Sequence, residues 1–179
     1  MNIVKYLASL VALIFIGGFG FLYSGIYPMG ADVPHNSLTY GVLEILREKS
    51  VARAAKSIEV PNDLNSSKRL LAGGADYNDM CSSCHLKPSK TQSDMSLGLY
   101  PAPPNLTMTR SDEHEPSDSQ ASKQEQPSNQ QLRRQFWIIK HGIKASGMPA
   151  WGITHDDQRI WNMVAFLQKL PQLSSEQYQ

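Results

Sequence analysis

The sequence predicts an all-α chain with an N-terminal transmembrane helix, on three observations. Residues Leu7–Tyr27 carry no charge and are dominated by Leu, Ile, Val, Phe, Ala and Gly. Such a run, about 21 residues, can cross a hydrocarbon core of about 30 Å. Beyond it, separate stretches place apolar side chains at helical spacing, with capping residues, Gly or Pro at their ends. No βαβ pattern and no internal repeat appears. At 179 residues the chain has room for one domain plus an appendage, and a formal net charge of +1 offers no whole-molecule attraction to nucleic acid.

Residues 1–27 form the first unit, an anchor. A cleavable signal would have a shorter apolar region followed by an Ala-x-Ala-like site, and none follows Gly25. Lys5 precedes the span and Arg47 is the first Arg or Lys after it, with Asp32 and Glu44 between. That bias places the N-terminus in the cytoplasm and the rest of the chain outside.

Residues 28–63 are read as a helix and linker. Tyr27-Pro28-Met29-Gly30 and Val33-Pro34 break the first helix. From Ser37 to Ser57, Leu38, Val42, Leu43, Ile45, Leu46 and Val51 share one side, while Glu44, Arg47, Glu48, Lys49, Arg53 and Lys56 occupy much of the rest. Two readings stand: a helix on a membrane surface or partner subunit, or one packed on the following domain. Val60-Pro61-Asn62-Asp63 marks the boundary.

Residues 64–171 form the main domain and 172–179 a tail. Ser66 and Ser67 are candidate N-caps for a helix through Leu70, Leu71, Gly74 and Tyr77 to Cys81. Gly73-Gly74 inside that helix costs about 1 kcal/mol per glycine relative to alanine, so another helix must approach closely there. The expected partner is the last helix, Asp156–Leu170, with Thr154 as N-cap, Pro171 as stop and an apolar face of Ile160, Trp161, Met163, Val164, Phe166 and Leu167. A third helix, Gln131–His141, carries Phe136, Trp137, Ile138 and Ile139 and ends at Gly142. Leu99 to Leu106 is extended by its prolines. Residues 111–130 are nearly all polar and are expected to form a mobile loop.

Cys81-Ser82-Ser83-Cys84-His85 carries the chemistry. Cys-x-x-Cys-His is the attachment pattern of c-type haem: two thiols about one helical turn apart add to the vinyl groups, and the histidine faces the iron. One haem c, held by two thioethers, is therefore the expected cofactor. A redox dithiol would need a βαβ setting, and these two cysteines cannot complete an all-cysteine zinc cage. A second iron ligand is expected downstream. Of seven methionines, only Met148, in Gly147-Met148-Pro149-Ala150-Trp151, combines a loop setting with a place well after the histidine.

These residues together resemble class I cytochromes c: Gly73, Tyr77 and Cys81 at four-residue spacing, Cys84-His85, Pro104-Asn105-Leu106, Gly147-Met148-Pro149 and an aromatic C-terminal helix. The run from Phe136 to Gly142 and on to Trp151 is also similar to membrane-anchored bacterial cytochromes of that class. The resemblance spans residues 64–171 and implies a fold of three to four helices wrapped around one covalent haem. It implies that Cys81 and Cys84 hold the haem and that His85 and Met148 are axial ligands. It implies that the Pro104 carbonyl accepts a hydrogen bond from His85, that Leu106 packs on the ring, and that Gly73 admits Phe166. Tyr77, Asn105, Trp137, Pro149 and Trp151 complete the expected pocket. The segment from His85 to Pro104 is longer than in compact members, and the 111–130 insertion has no counterpart there.

The resulting expectation is an electron carrier, not an enzyme, on the periplasmic side of a bacterial inner membrane. It would accept electrons from a quinol-oxidising complex or dehydrogenase and pass them to a terminal oxidase or other reductase. Two alternatives stand beside it: a haem-bearing subunit of a larger complex, and a peroxidase-type site with a labile Met148. Lys87, Lys90, Arg133, Arg134, Lys140 and Lys144 are read either as a basic rim that steers an acidic partner or as a solvated surface.

Overall fold

The computed structural model describes residues 2–108 and 127–179. Its regular structure is helical, with no strand among the described residues. The helices are α1 (Asn2–Ser24), α2 (Ser37–Ala55), α3 (Ser67–Asp76), α4 (Ser82–His85), α5 (Asp94–Gly98), α6 (Asn129–His141), α7 (Asp157–Leu167) and α8 (Ser175–Tyr178). The chain divides into two compact units, Met1–Val33 and Pro34–Gln179.

In the first unit, α1 is long and apolar enough to cross a membrane, and its side chains are exposed along the described length. It stops at Ser24, three residues short of the expected end, because Gly25 turns the backbone to a φ of +66°.

In the second unit, the Asn36 side chain caps α2 by accepting from the Thr39 amide at 2.9 Å. The C-terminal half of α2 packs on α6 and buries Val51 and Ala55. Glu48 links the two helices through Arg134 at 2.5 Å. That half takes the packed reading; the N-terminal half does not, and Leu38, Val42, Ile45 and Leu46 remain exposed.

The principal helix pair is α3 with α7, and the glycines explain how closely they meet. A Cβ on Gly73 would stand 1.9 Å from the Asn162 carbonyl oxygen, so the backbone of α7 itself occupies that space. A Cβ on Gly74 would stand 3.1 Å from the Phe166 ring. The expectation that Gly73 admits Phe166 is therefore corrected: Gly73 receives the helix backbone and Gly74 the ring. Around this crossing lies a core of Leu64, Leu132, Phe136, Ile139, Ile160, Trp161, Met163 and Val164, where the Phe136 and Trp161 rings stack at 4.3 Å.

Several ends differ from expectation. The N-cap of α7 is Asp156, which accepts from the Arg159 amide at 2.8 Å, not Thr154. Thr154 instead closes a 3₁₀ turn, Trp151–Ile153. Pro171 does not end α7, which stops at Leu167; it lies inside a separate 3₁₀ turn, Leu170–Gln172. Most of the 111–130 loop lies outside the described residues, but its last part is ordered. Ser128 caps α6 reciprocally with Gln131, so Asn129 and Gln130 are already helical. The 172–179 tail folds back, bringing Tyr178 to 6.3 Å from the Tyr77 ring and 6.2 Å from Phe166.

Candidate functional site

Between α3 and α4 the helix widens into a π turn, Tyr77–Cys81. One such turn shifts the helical phase and re-aims every side chain that follows; these turns recur at functional sites. Here it immediately precedes Cys84 and His85. The Ser82 hydroxyl donates to the Asn78 carbonyl at 2.7 Å, tying the widened turn together. Helix α4 then ends at Leu86, where φ reaches +71° and the chain turns away.

Cys81 and Cys84 are unpaired and partly buried. Burial, helped by nearby Asp76 and Cys84, pushes the Cys81 thiol up to about 12. A thiolate ligand is disfavoured in such a setting, whereas an uncharged thioether costs nothing electrostatically there. Among the described residues, no three His, Cys, Asp or Glu side chains group as a metal site in their own right. The pair fits covalent attachment better than ionic coordination.

His85 is held from behind. Its Nδ1 lies 2.8 Å from the Pro104 carbonyl oxygen. A carbonyl only accepts, so Nδ1 carries the proton and Nε2 keeps its lone pair. Burial lowers the His85 pKa and favours this neutral form, against the opposing pull of the Pro104 carbonyl. The backbone is fixed as well: the Leu106 amide donates to the His85 carbonyl at 3.3 Å. The buried Tyr77 hydroxyl donates to the carbonyls of Leu86 at 2.7 Å and His85 at 3.1 Å. Burial raises the Tyr77 pKa, so it remains a donor. Asn105 makes an Asx turn, accepting from the Thr107 amide and hydroxyl, which shapes the chain between Pro104 and Leu106. Leu106 packs on the cluster of Tyr77, Phe166 and Leu170.

Met148 packs on the main core, as do Cys81, Met80 and Trp151. Its loop is braced at three places. The Met148 amide donates to Ser146 Oγ at 3.2 Å, and its carbonyl accepts from the Ile143 amide at 3.2 Å. The loop also crosses Gly142, at φ +64° and ψ −170°, where a Cβ would stand 2.6 Å from the Met148 carbonyl oxygen and 2.7 Å from the Pro149 carbonyl carbon. Gly147 lies under Leu99, so the proline-rich segment touches the methionine loop directly. Trp151 opens the 3₁₀ turn before α7, and its ring lies 5.4 Å from His155.

Trp137 lies on α6, next to the core residue Phe136. Its ring lies 4.9 Å from His141, and the two line a groove of about 380 Å³ with Ala54, Ile58, Phe136 and Trp161. The basic residues are largely engaged inside the domain: Lys87 with Asn78, Arg133 with the Lys56 carbonyl, Arg134 with Glu48 and Lys140 with Asp157. The Asn78 and Lys56 acceptors are neutral, so Lys87 and Arg133 keep their charge alongside Lys90 and Lys144, while Arg134 and Lys140 are offset by carboxylates. Three contacts had no sequence signal: the π turn, Leu99 on Gly147, and His155 Nε2 at 3.2 Å from Met80 Sδ.

Residues 68–167 match the family described as cytochrome C oxidase, cbb3-type, subunit III. No curated protein and no solved structure matches the chain.

Proposed function

The chain belongs to the family of cbb3-type cytochrome c oxidase subunit III, a c-type cytochrome domain, and on that premise we propose that it is a membrane-anchored, one-electron carrier with a single covalent haem. Cys81 and Cys84 would hold it through two thioethers, and His85 and Met148 would supply the nitrogen and sulfur ligands to its iron. Haem bound in this way supplies a one-electron Fe(II)/Fe(III) couple whose potential a thioether ligand raises. The carrying observation is the 2.8 Å contact from His85 Nδ1 to the Pro104 carbonyl. It sets the tautomer, fixes the ring plane and increases the basicity of Nε2, as the outer partner of a ligating histidine does.

The remaining residues serve positioning. Tyr77 holds the carbonyls of His85 and Leu86 in place, and Leu106 packs on the cluster of Tyr77, Phe166 and Leu170. Ser146, Ile143 and Gly142 hold the Met148 loop against the end of α6. With both His85 and Met148 ligating, the iron would have no site for substrate, which is why a carrier is favoured over a peroxidase. His141 and His155 support the same reading, since one stacks on Trp137 and the other contacts Met80 and Thr154.

α1 anchors the domain to the bacterial inner membrane, with the haem domain on the periplasmic side. The donor is a quinol-oxidising complex or dehydrogenase, and the acceptor a terminal oxidase. Membrane confinement brings the carrier to both by lateral diffusion.

The test is spectroscopic, on the full-length chain expressed with a c-type maturation system. Haem should remain on the polypeptide through acidified-solvent extraction. The ferric protein should be low-spin with a methionine-to-iron charge-transfer band. A haem lost to the solvent sinks the attachment, and a high-spin ferric spectrum at neutral pH sinks the ligand set.

A further inference from the structure

The exposed side of α2 changes character along one stripe. Leu38, Val42, Ile45, Lys49, Arg53 and Lys56 recur at three- or four-residue intervals, which places them on a single helical face. Its first part is apolar and open, with Leu38 78%, Val42 57%, Ile45 62% and the adjacent Leu46 63% exposed. Its second part is cationic and exposed. Val51 and Ala55, on the other side, are buried on the domain. Arg47 and Arg134 pair with glutamates, but none of Lys49, Arg53 and Lys56 enters an ion pair among the described residues. A contiguous open apolar face on a folded domain marks an interaction site.

We propose that this face of α2 is a second membrane contact, seated on the surface of an anionic phospholipid bilayer. The N-terminal half enters the boundary of the acyl chains, and Lys49, Arg53 and Lys56 meet the headgroup phosphates. Apolar side chains beside Lys and Arg are the pattern of helices that lie in the interface. The inference rests on the reading of α1 as an anchor. Residues 25–36 join α1 to α2 and reach at most about 40 Å when extended, and the apolar half is the part of the domain that follows the anchor first along the chain. Two contacts, the spanning helix and the interfacial one, would fix which side of the haem domain faces the bilayer and which faces the aqueous phase.

The experiment uses the full-length haem-loaded chain in nanodiscs containing phosphatidylglycerol and a phospholipid with a photoactivatable acyl chain, with adducts located by sequencing chymotryptic peptides. Adducts are expected on α1 and on residues 38–46. Reversing Lys49, Arg53 and Lys56 to Glu, or replacing phosphatidylglycerol with phosphatidylcholine, should reduce the 38–46 adducts at least about threefold and leave those on α1 unchanged. An unaltered visible spectrum shows that the charge-reversed domain is folded. Adducts on α1 without adducts on 38–46 overturn the proposal while the anchor stands. Adducts indifferent to both charge changes, or crosslinks between α2 segments of two copies, overturn it as well. No adducts on either segment overturn it together with the anchor.

Discussion

Gly73→Ala and Gly74→Ala, the same substitution at adjacent positions, should differ sharply in effect. At Gly73 the new Cβ would stand 1.9 Å from the Asn162 carbonyl oxygen, 2.5 Å from its carbon and 3.0 Å from the Met163 nitrogen. All three are backbone atoms, so no rotamer can absorb the overlap and α3 and α7 must separate. Overpacking of this kind costs about 3 kcal/mol, and alanine returns about 1 kcal/mol in helix propensity. The expected loss is therefore about 2 kcal/mol, or roughly thirtyfold in the folded-to-unfolded ratio. At Gly74 the Cβ meets the edge of the Phe166 ring at 3.1 Å. A ring can yield by a few tenths of an ångström, and the propensity gain of about 1 kcal/mol offsets that cost, leaving the change within about 0.5 kcal/mol of zero. Denaturant unfolding of the haem-loaded protein, followed by visible absorption and by far-ultraviolet circular dichroism, measures both. A Gly73→Ala protein as stable as the parent, or a Gly74→Ala protein less stable than Gly73→Ala, would refute the assignment of the two glycines.

Met148→Ala should keep covalent haem but lose the thioether ligand, which lowers the midpoint potential and opens the iron to carbon monoxide. A redox titration and a carbon monoxide difference spectrum test this, and unchanged values remove Met148 from the site. Gly142→Ala puts a side chain in a conformation suited to glycine alone, at a cost of about 1–3 kcal/mol, and also against the Met148 carbonyl. The methionine charge-transfer band should weaken well below the denaturation midpoint; a band that disappears only with global unfolding contradicts the loop geometry. Glu48 has its pKa lowered chiefly by the hydrogen bond from Arg134. Its contribution is thus present above the ordinary glutamate pKa and disappears as pH falls through the lower folded value. Glu48→Gln should cost less than about 1 kcal/mol at neutral pH, because the pair is screened by solvent, and nothing once acid has protonated Glu48 in the parent. Parallel stability profiles at all pH values would exclude the linkage.

What could be read in advance was local chemistry. Gly142 as a helix stop and the need for close approach at Gly73-Gly74 follow from conformational cost at single positions, and the helices obey them; the helix expected from Ser37 also begins there, though its Asn36 cap is no part of that expectation. The attachment motif is local in the same way. Contacts set by three-dimensional register were not legible. Gly73 and Gly74 look alike in one dimension, and only the azimuth of α7 decides which receives backbone and which receives Phe166. The π turn adds a residue to a helix without any composition cue. Thr154 and Asp156 are both good caps, and Asp156 prevails because the Trp151–Ile153 turn has already engaged Thr154. Leu99 on Gly147 joins segments whose relation depends on the folded path between them.

On the proposed ligation, His85 and Met148 must stay still while the charge between them changes, and contacts from other elements brace both. His85 and Met148 come from segments far apart in sequence, yet neither is held only by its neighbours. Tyr77 grips the carbonyls of His85 and Leu86 and rests its ring 5.5 Å from Phe166 of α7. That helix follows directly from the Trp151 turn, and Gly152 of the turn packs on the last turn of α6, beside Lys140. The methionine loop leaves that same end of α6 across Gly142. The histidine and methionine supports thus meet through α7, whose position is set by its contact with Gly73. Displacing α7 by the amount a Gly73 methyl demands should move both ligand supports together. The Gly73→Ala protein should then show an altered methionine charge-transfer band even where it remains folded. Gly74→Ala, which moves only a ring edge, should leave that band as it is.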